Sequence, residues 1–236
     1  MSEPYLLLWL EAPLQAWGHD SKFGRRDSLD FPTKSGVLGL LCCARGAAGE
    51  QTEWLQHWAE RDLQVTAYVT SDRQGRPLPR LPLLRDFQMV GSGYDDQDPW
   101  ASLLIPKTSE GKKAVGGGTK MTYRYYLQDM AYAVALQGPP AELQELVDAL
   151  QNPVWDLYLG RKTCVPTEFV YQGVHADLDK AFQRASELAV EKSRHAVFRV
   201  LQGEREGEVI TLNDVPVQFG EHKRYRDRRV TVQRLE

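Results

Sequence analysis

Residues 5–10 read Tyr-Leu-Leu-Leu-Trp-Leu, an unbroken apolar run that Pro13 and Gly18 bring to an end. A run this short is a strand buried on both faces, because period-two alternation is lost only when both sides of a strand meet apolar layers. The chain must therefore build a sheet with packing on each face, and the run belongs in its middle. It falls far short of the roughly 20 apolar residues that span a bilayer, as does every later run.

The remaining pattern supplies the layers. Pro32-Thr33-Lys34-Ser35 precedes an apolar stretch, Gly36 to Ala44, that reads as a helix with Ser35 as N-cap. Thr52 caps a second helix with Trp54, Leu55 and Trp58 on one face. Leu63 to Val69 alternates with its odd positions inward, and Met121–Leu127 and Met130–Leu136 read as two further strands. Leu143, Leu146, Val147 and Leu150 follow Pro139-Pro140 at helical spacing. Asp177 caps a helix carrying Leu178, Ala181, Phe182, Ala185 and Leu188 along one side. From Ala196 to Leu235 the pattern is strand-like, with turns expected at Gly203, Gly207 and Asn213-Asp214. Between Arg73 and about Thr119 periodicity fails under five prolines and the Gly116–Gly118 tract, so this segment reads as an inserted arm. The order implies an α+β fold, a ferredoxin-like or RRM-type sandwich.

Charge narrows the function. Twenty-nine basic against 32 acidic residues give a net charge of −3, which offers no whole-molecule attraction to nucleic acid or membranes. Local clusters differ: Arg73, Arg76, Arg80 and Arg85 stand without an acid among them, Lys107, Lys112, Lys113, Lys120 and Arg124 surround only Glu110, and Lys223 to Arg234 holds six basic residues. Such clusters suit a phosphate backbone, or are ordinary solvated faces balanced elsewhere. Tyr123-Arg124-Tyr125-Tyr126 would place Arg124 and Tyr126 on one strand face, Tyr123 and Tyr125 on the other, offering ring and guanidinium to RNA or packing in the core. Tyr158-Leu159-Gly160-Arg161-Lys162 sets a ring and two cations beside a glycine that permits close approach. Lys34-Ser35-Gly36 at a helix start aims free N–H groups and a lysine outward, a phosphate site.

No GxxxxGK[ST] or complete dinucleotide fingerprint occurs, which argues against NTP or NAD binding. Neither the five histidines nor Cys42, Cys43 and Cys164 fall at metal-ligand spacing, so no metal or cofactor is expected and the thiols read as reduced. With no secretory signal pattern at the N-terminus, the expected location is the cytoplasm. His19, in a loop after Trp17-Gly18, is the best lone candidate for acid–base work and equally a surface residue.

Three motifs carry a resemblance. LLLWLEAPLQAWG (6–18), FPTKSGVLGLL (31–41) and YLGRKTCVP (158–166) resemble, in the same order, those of the CasD family of type I-E CRISPR Cascade, with Tyr123–Leu136 matching more loosely and the arm and final forty residues least. The resemblance implies an RRM-like RAMP domain over 1–152 with a β-hairpin thumb at about 84–122, and a reduced β-rich region over 153–236 packed on it. It implies a non-catalytic subunit that grips the 5′ handle of the crRNA, caps the backbone beside CasC, touches the large PAM-reading CasA, and meets target DNA only through the complex. Lys34, Ser35, Gly36, Arg124, Tyr158, Arg161 and Lys162 would contact RNA, with Trp17, Arg25, Arg26, Lys107, Lys120 and Tyr125 as further RNA or thumb candidates. Two alternatives stand beside it. One is a metal-independent endoribonuclease processing precursor crRNA, like the related type I-C subunit, drawing on His19, Tyr158 and Lys162; the other is an adaptor that binds only proteins.

Overall fold

A computed structural model describes residues 3–18, 21, 24–90, 108–112 and 120–235. Strand β1 (Tyr5–Gln15) lies inside a large, mainly antiparallel sheet, paired on one side with β5 (Lys120–Gln137) and on the other with β6 (Tyr171–His175). The apolar run behaves as its composition demands: Leu6, Leu8 and Leu10 enter the main core, while Leu7 and Trp9 enter a second core on the opposite face. The strand order is β6-β1-β5-β3-β7-β9-β8, with β3 at Leu63–Thr70, β7 at Arg194–Gln202, β8 at Glu208–Gln218 and β9 at Arg224–Arg234. The sheet thus runs unbroken from the first strand to the last.

Helices fill both faces. α1 (Lys34–Arg45), α2 (Thr52–Ala59) and α3 (Pro140–Gln151) pack their Leu, Val and Trp faces on the main core. α4 (Leu178–Glu191), capped by Asp177 through the Lys180 N–H, covers the smaller second face with Ala185, Leu188 and Ala189. Among the described residues no helix is long and apolar enough to cross a membrane.

Several expectations are corrected. Thr33, not Ser35, caps α1, because its hydroxyl accepts the Gly36 N–H at 3.0 Å. Gln51, in the left-handed region at φ 54°, precedes α2, and Thr52 is already helical. The two strands expected over 121–136 are one strand of 18 residues that passes through a left-handed φ of 50° at Asp129, whose backbone and carboxylate are held by Arg194. Its first half leaves the main sheet and pairs with β2 (Arg25–Arg26) and β4 (Leu84–Val90), a strand within the segment where periodicity failed. Asn213-Asp214 is no turn but a bulge inside β8, where the register against β9 slips. A bulge re-aims one side chain, and here it turns Asp214 into the interior.

Candidate nucleic-acid interface

One face of α1, from Ser35 to Cys43, lines an open cleft of about 490 Å³. Trp17 and Gly18 close one side, Tyr158 and Gly160 a second, and Phe219, Lys223 and Tyr225 from the β8–β9 connection and β9 a third. Two glycines make this assembly possible. A Cβ on Gly36 would stand 2.8 Å from the Trp17 ring, so the indole can lie on the helix only because that position is bare. Gly160 (φ +89°) passes directly over the Ala16 carbonyl, leaving no room for a side chain. The close approach expected of Gly160 therefore serves the protein's own backbone, where Ala16 N–H donates to Leu159 O at 3.2 Å.

Ser35, Gly36, Tyr158 and Trp17 from the sequence-based set thus meet in one place. Trp17 is nonetheless a core residue, 1% exposed, its indole N–H donating to Gln15 Oε1, so only a ring edge lines the cleft. Lys34 does not belong with them. Its side chain is fully buried and turned away, Nζ donating to the carbonyls of Ala59 and Arg61 at 2.6 Å each. Burial, followed by the Arg228 charge, pulls its pKa down to about 8. Nor is the helix start as open as expected, since Lys34 N–H donates to Asp214 Oδ2 at 2.7 Å and Gly36 N–H to Thr33. Asp214 is itself held by two bonds from Arg228, at 2.7 and 2.8 Å. The site an anion would take at a helix N-terminus is therefore filled largely by the protein's own carboxylate.

Arg161 leaves the cleft and clamps the arm. Its guanidinium donates to the carbonyls of Tyr125 (3.1 Å) and Arg26 (2.8 Å) and lies 4.6 Å from the Tyr126 ring centroid. Tyr126 is buried beneath it, so of the two roles open to that ring it takes the packing one. The ring-and-cation face turned outward is that of Tyr123 and Tyr125: Tyr123 packs at a tilt against Phe87 (5.3 Å between centroids) under Arg85, and Arg25 lies over Tyr125. Arg124 is half-buried opposite Asp86, and Arg26 is exposed beside it. Lys162 lines a second hollow beyond Tyr158, with Trp155, Val154, Val165 and Cys43. His19 and Lys107 lie outside the described residues, as does the side chain of Lys120. Of the nuclease set only Tyr158 and Lys162 can be placed, and no hydrogen bond joins them among the described residues.

Sequence reasoning missed Tyr225, and took Lys223 as one of six residues in a basic cluster. The bulge at Asp214 that docks their strand on α1 has no local signature beyond an Asn-Asp pair, which read as a turn. Half of the same cluster proves neutralised: Arg226 pairs with Glu60, Arg228 with Asp214 and Arg229 with Glu204, while Arg224 donates to the neutral Gln218.

The family described as CRISPR-associated protein (Cas_Cas5) matches residues 5–231. The chain belongs to that family. This Cas5-family chain is 31% identical over 175 residues to the CRISPR system Cascade subunit CasD of Escherichia coli (strain K12), covering 72% of this chain and 70% of that protein. It superposes on a chain of a solved CRISPR RNA-guided surveillance complex with a TM-score of 0.71 at 29% identity, over 98% of this chain and 90% of that one. A crystal structure of a Cas protein matches at TM-score 0.59 and 27% identity, over 98% and 95%.

Proposed function

We propose that this chain is a non-catalytic crRNA-binding subunit of a type I-E CRISPR Cascade complex, holding the repeat-derived 5′ handle in the cleft at the start of α1. The observation that carries the reading is the meeting, in a family member similar to CasD, of Ser35, Gly36 and Tyr158 with Lys223 and Tyr225 around one open cleft. Rings and hydroxyls suit unpaired bases, which single-stranded RNA presents and a duplex hides. Next to it, the β4–β5 ladder with its outward Phe87, Tyr123 and Arg85 supports a thumb role, folded over the guide beside CasC. CasA is the expected neighbour on the handle side, and target DNA is met only through the assembled complex.

The test mixes the purified chain with labelled precursor crRNA in EDTA, following binding and cleavage together, with the co-expressed complex in parallel. Expected are binding that falls when the 5′ handle is removed or scrambled, strongest in the complex, and no cleavage. Lys162→Ala and Arg124→Ala should each weaken binding and flatten its salt dependence. A discrete cut in the repeat, or equal affinity for handle-less RNA, would overturn the reading.

A further inference from the structure

We propose that the cleft is a pocket for one everted nucleotide of the bound RNA, with the Tyr225 ring from β9 against the base and Lys223 on an adjoining phosphate. The inference rests on the reading of the cleft as an RNA site and assigns it a stoichiometry, a specificity wall and a phosphate contact.

Size sets the stoichiometry. A space of about 490 Å³ falls in the lower half of the range that small-molecule sites occupy, roughly 300–1,000 Å³, which admits a nucleotide and excludes a helix. The walls set the chemistry. Trp155, Tyr158, Phe219 and Tyr225 bring aromatic carbon to a cleft whose polar groups are hydroxyls at Ser35, Tyr158 and Tyr225, able to donate or accept at a base edge. Tyr225 keeps 38% of its surface exposed, and its hydroxyl has no hydrogen-bond partner among the described residues. Burial raises the pKa of Tyr225, so the phenol stays protonated and neutral.

Lys223 follows by elimination within its own cluster. Arg226, Arg228 and Arg229 each pair with an acid, Arg224 is held by Gln218 and Arg234 lines a separate hollow, whereas Lys223 is exposed, lines the cleft and has no carboxylate within ion-pair distance among the described residues. The helix start is the obvious rival for a phosphate, but Asp214, paired with Arg228, already accepts the Lys34 N–H there and fills the place one would take. An anion is therefore drawn to the opposite rim, where Lys223 stands.

The wall is held before RNA arrives. Asp214 and Arg228 lock the strand pair to α1, and Phe219 N–H donates to Glu50 O at 2.9 Å, fixing the connection against the loop before α2. Binding then spends little entropy on ordering the backbone that carries Tyr225 and Lys223.

The experiment uses the full chain and a set of handle RNAs, each carrying 2-aminopurine at one position. In the wild type one position should change fluorescence strongly on binding and its neighbours little. Tyr225→Ala should abolish that change and weaken binding about tenfold or more, while Tyr225→Phe keeps the change. Lys223→Ala should weaken binding to every handle sequence alike and lower the slope of log affinity against log salt by about 0.7. Circular dichroism and melting of each variant establish that it is folded. If Tyr225→Ala binds and gives the wild-type fluorescence profile, or if no single position responds in a wild type that binds RNA, the pocket is refuted while handle binding stands. A wild-type chain and complex that bind no handle RNA would instead overturn the function itself.

Discussion

Replacing Gly160 by alanine tests how the cleft is built. The residue sits at φ +89°, and a Cβ there would overlap the Ala16 carbonyl oxygen and stand 2.7 Å from its carbon. Three costs add. Holding alanine in this region takes about 1 kcal/mol or somewhat more. Separating two backbones that cannot separate freely takes about 1–3 kcal/mol, as overpacking does in cores. Moving Leu159 away from Ala16 breaks their 3.2 Å backbone bond, worth about 1 kcal/mol. The sum is about 4 kcal/mol. Gly75 supplies the internal comparison, since it has nearly the same dihedral, φ +77°, with nothing within 4 Å of the place a methyl group would take, and its alanine variant should cost only the conformational part. In urea, with a slope of about 3 kcal/mol per molar, Gly160→Ala should lower the unfolding midpoint by roughly 1.3 M and Gly75→Ala by roughly 0.3 M. Equal shifts in the two variants would show that the contact with Ala16 carries none of the cost and that the cleft wall is looser than described.

Other outcomes follow from the same geometry. Lys34→Met should destabilise the chain by about 1–3 kcal/mol, because the Ala59 and Arg61 carbonyls lose their buried donor, yet leave the salt dependence of RNA binding unchanged in a filter-binding titration. With the Lys34 pKa held near 8 by burial against an ordinary 10.5, the unfolded chain binds more protons above pH 8, so stability should rise with pH there by about 1 kcal/mol per unit. Denaturant melts of the wild type and Lys34→Met at pH 8 and 9 would read it as the difference between the two, because Cys42, pushed up to about 11 by burial from 9.0, and Cys43 and Cys164, also raised by burial, act in the opposite sense in both proteins. Arg161→Lys should lower stability by about 1–2 kcal/mol despite its kept charge, because an ammonium cannot serve the Tyr125 and Arg26 carbonyls as a fork while lying on the Tyr126 ring. A thermal melt unchanged from the wild type would remove Arg161 from the role of clamp.

What could be read from the chain follows the range of the forces involved. β1, α3 and α4 were legible because burial imposes a period on neighbouring residues, as in Leu6–Leu10 or Leu143, Leu146, Val147 and Leu150. β4 and β6 were not, because Leu84, Phe87 and Met89 remain exposed and Tyr171–His175 is at most half-buried, so neither carries a clean alternation. Within the site, Ser35, Gly36 and Tyr158 were found through local motifs, whereas the partners that bury Lys34 and hold Arg161 lie 25 to 135 residues away. A charge in a sequence gives no sign of which way its side chain turns; Lys34 and Arg161 looked like ligands for phosphate and are used by the backbone. Tyr225 was invisible for the converse reason, since only the bulge at Asp214 brings its strand to the cleft.

The left-handed residue in β5 has a mechanical meaning. Asp129, at φ 50°, lies close to the point where that strand passes from the main sheet to the part that carries β2 and β4, and it is held by Arg194, which also grips Glu11 on β1 and Thr70 on β3. The base of the arm is therefore tied to the interior, by a side chain only 8% exposed, much as a boom is pinned at its foot. Weakening that grip would leave the arm's own surface chemically intact and loosen its footing.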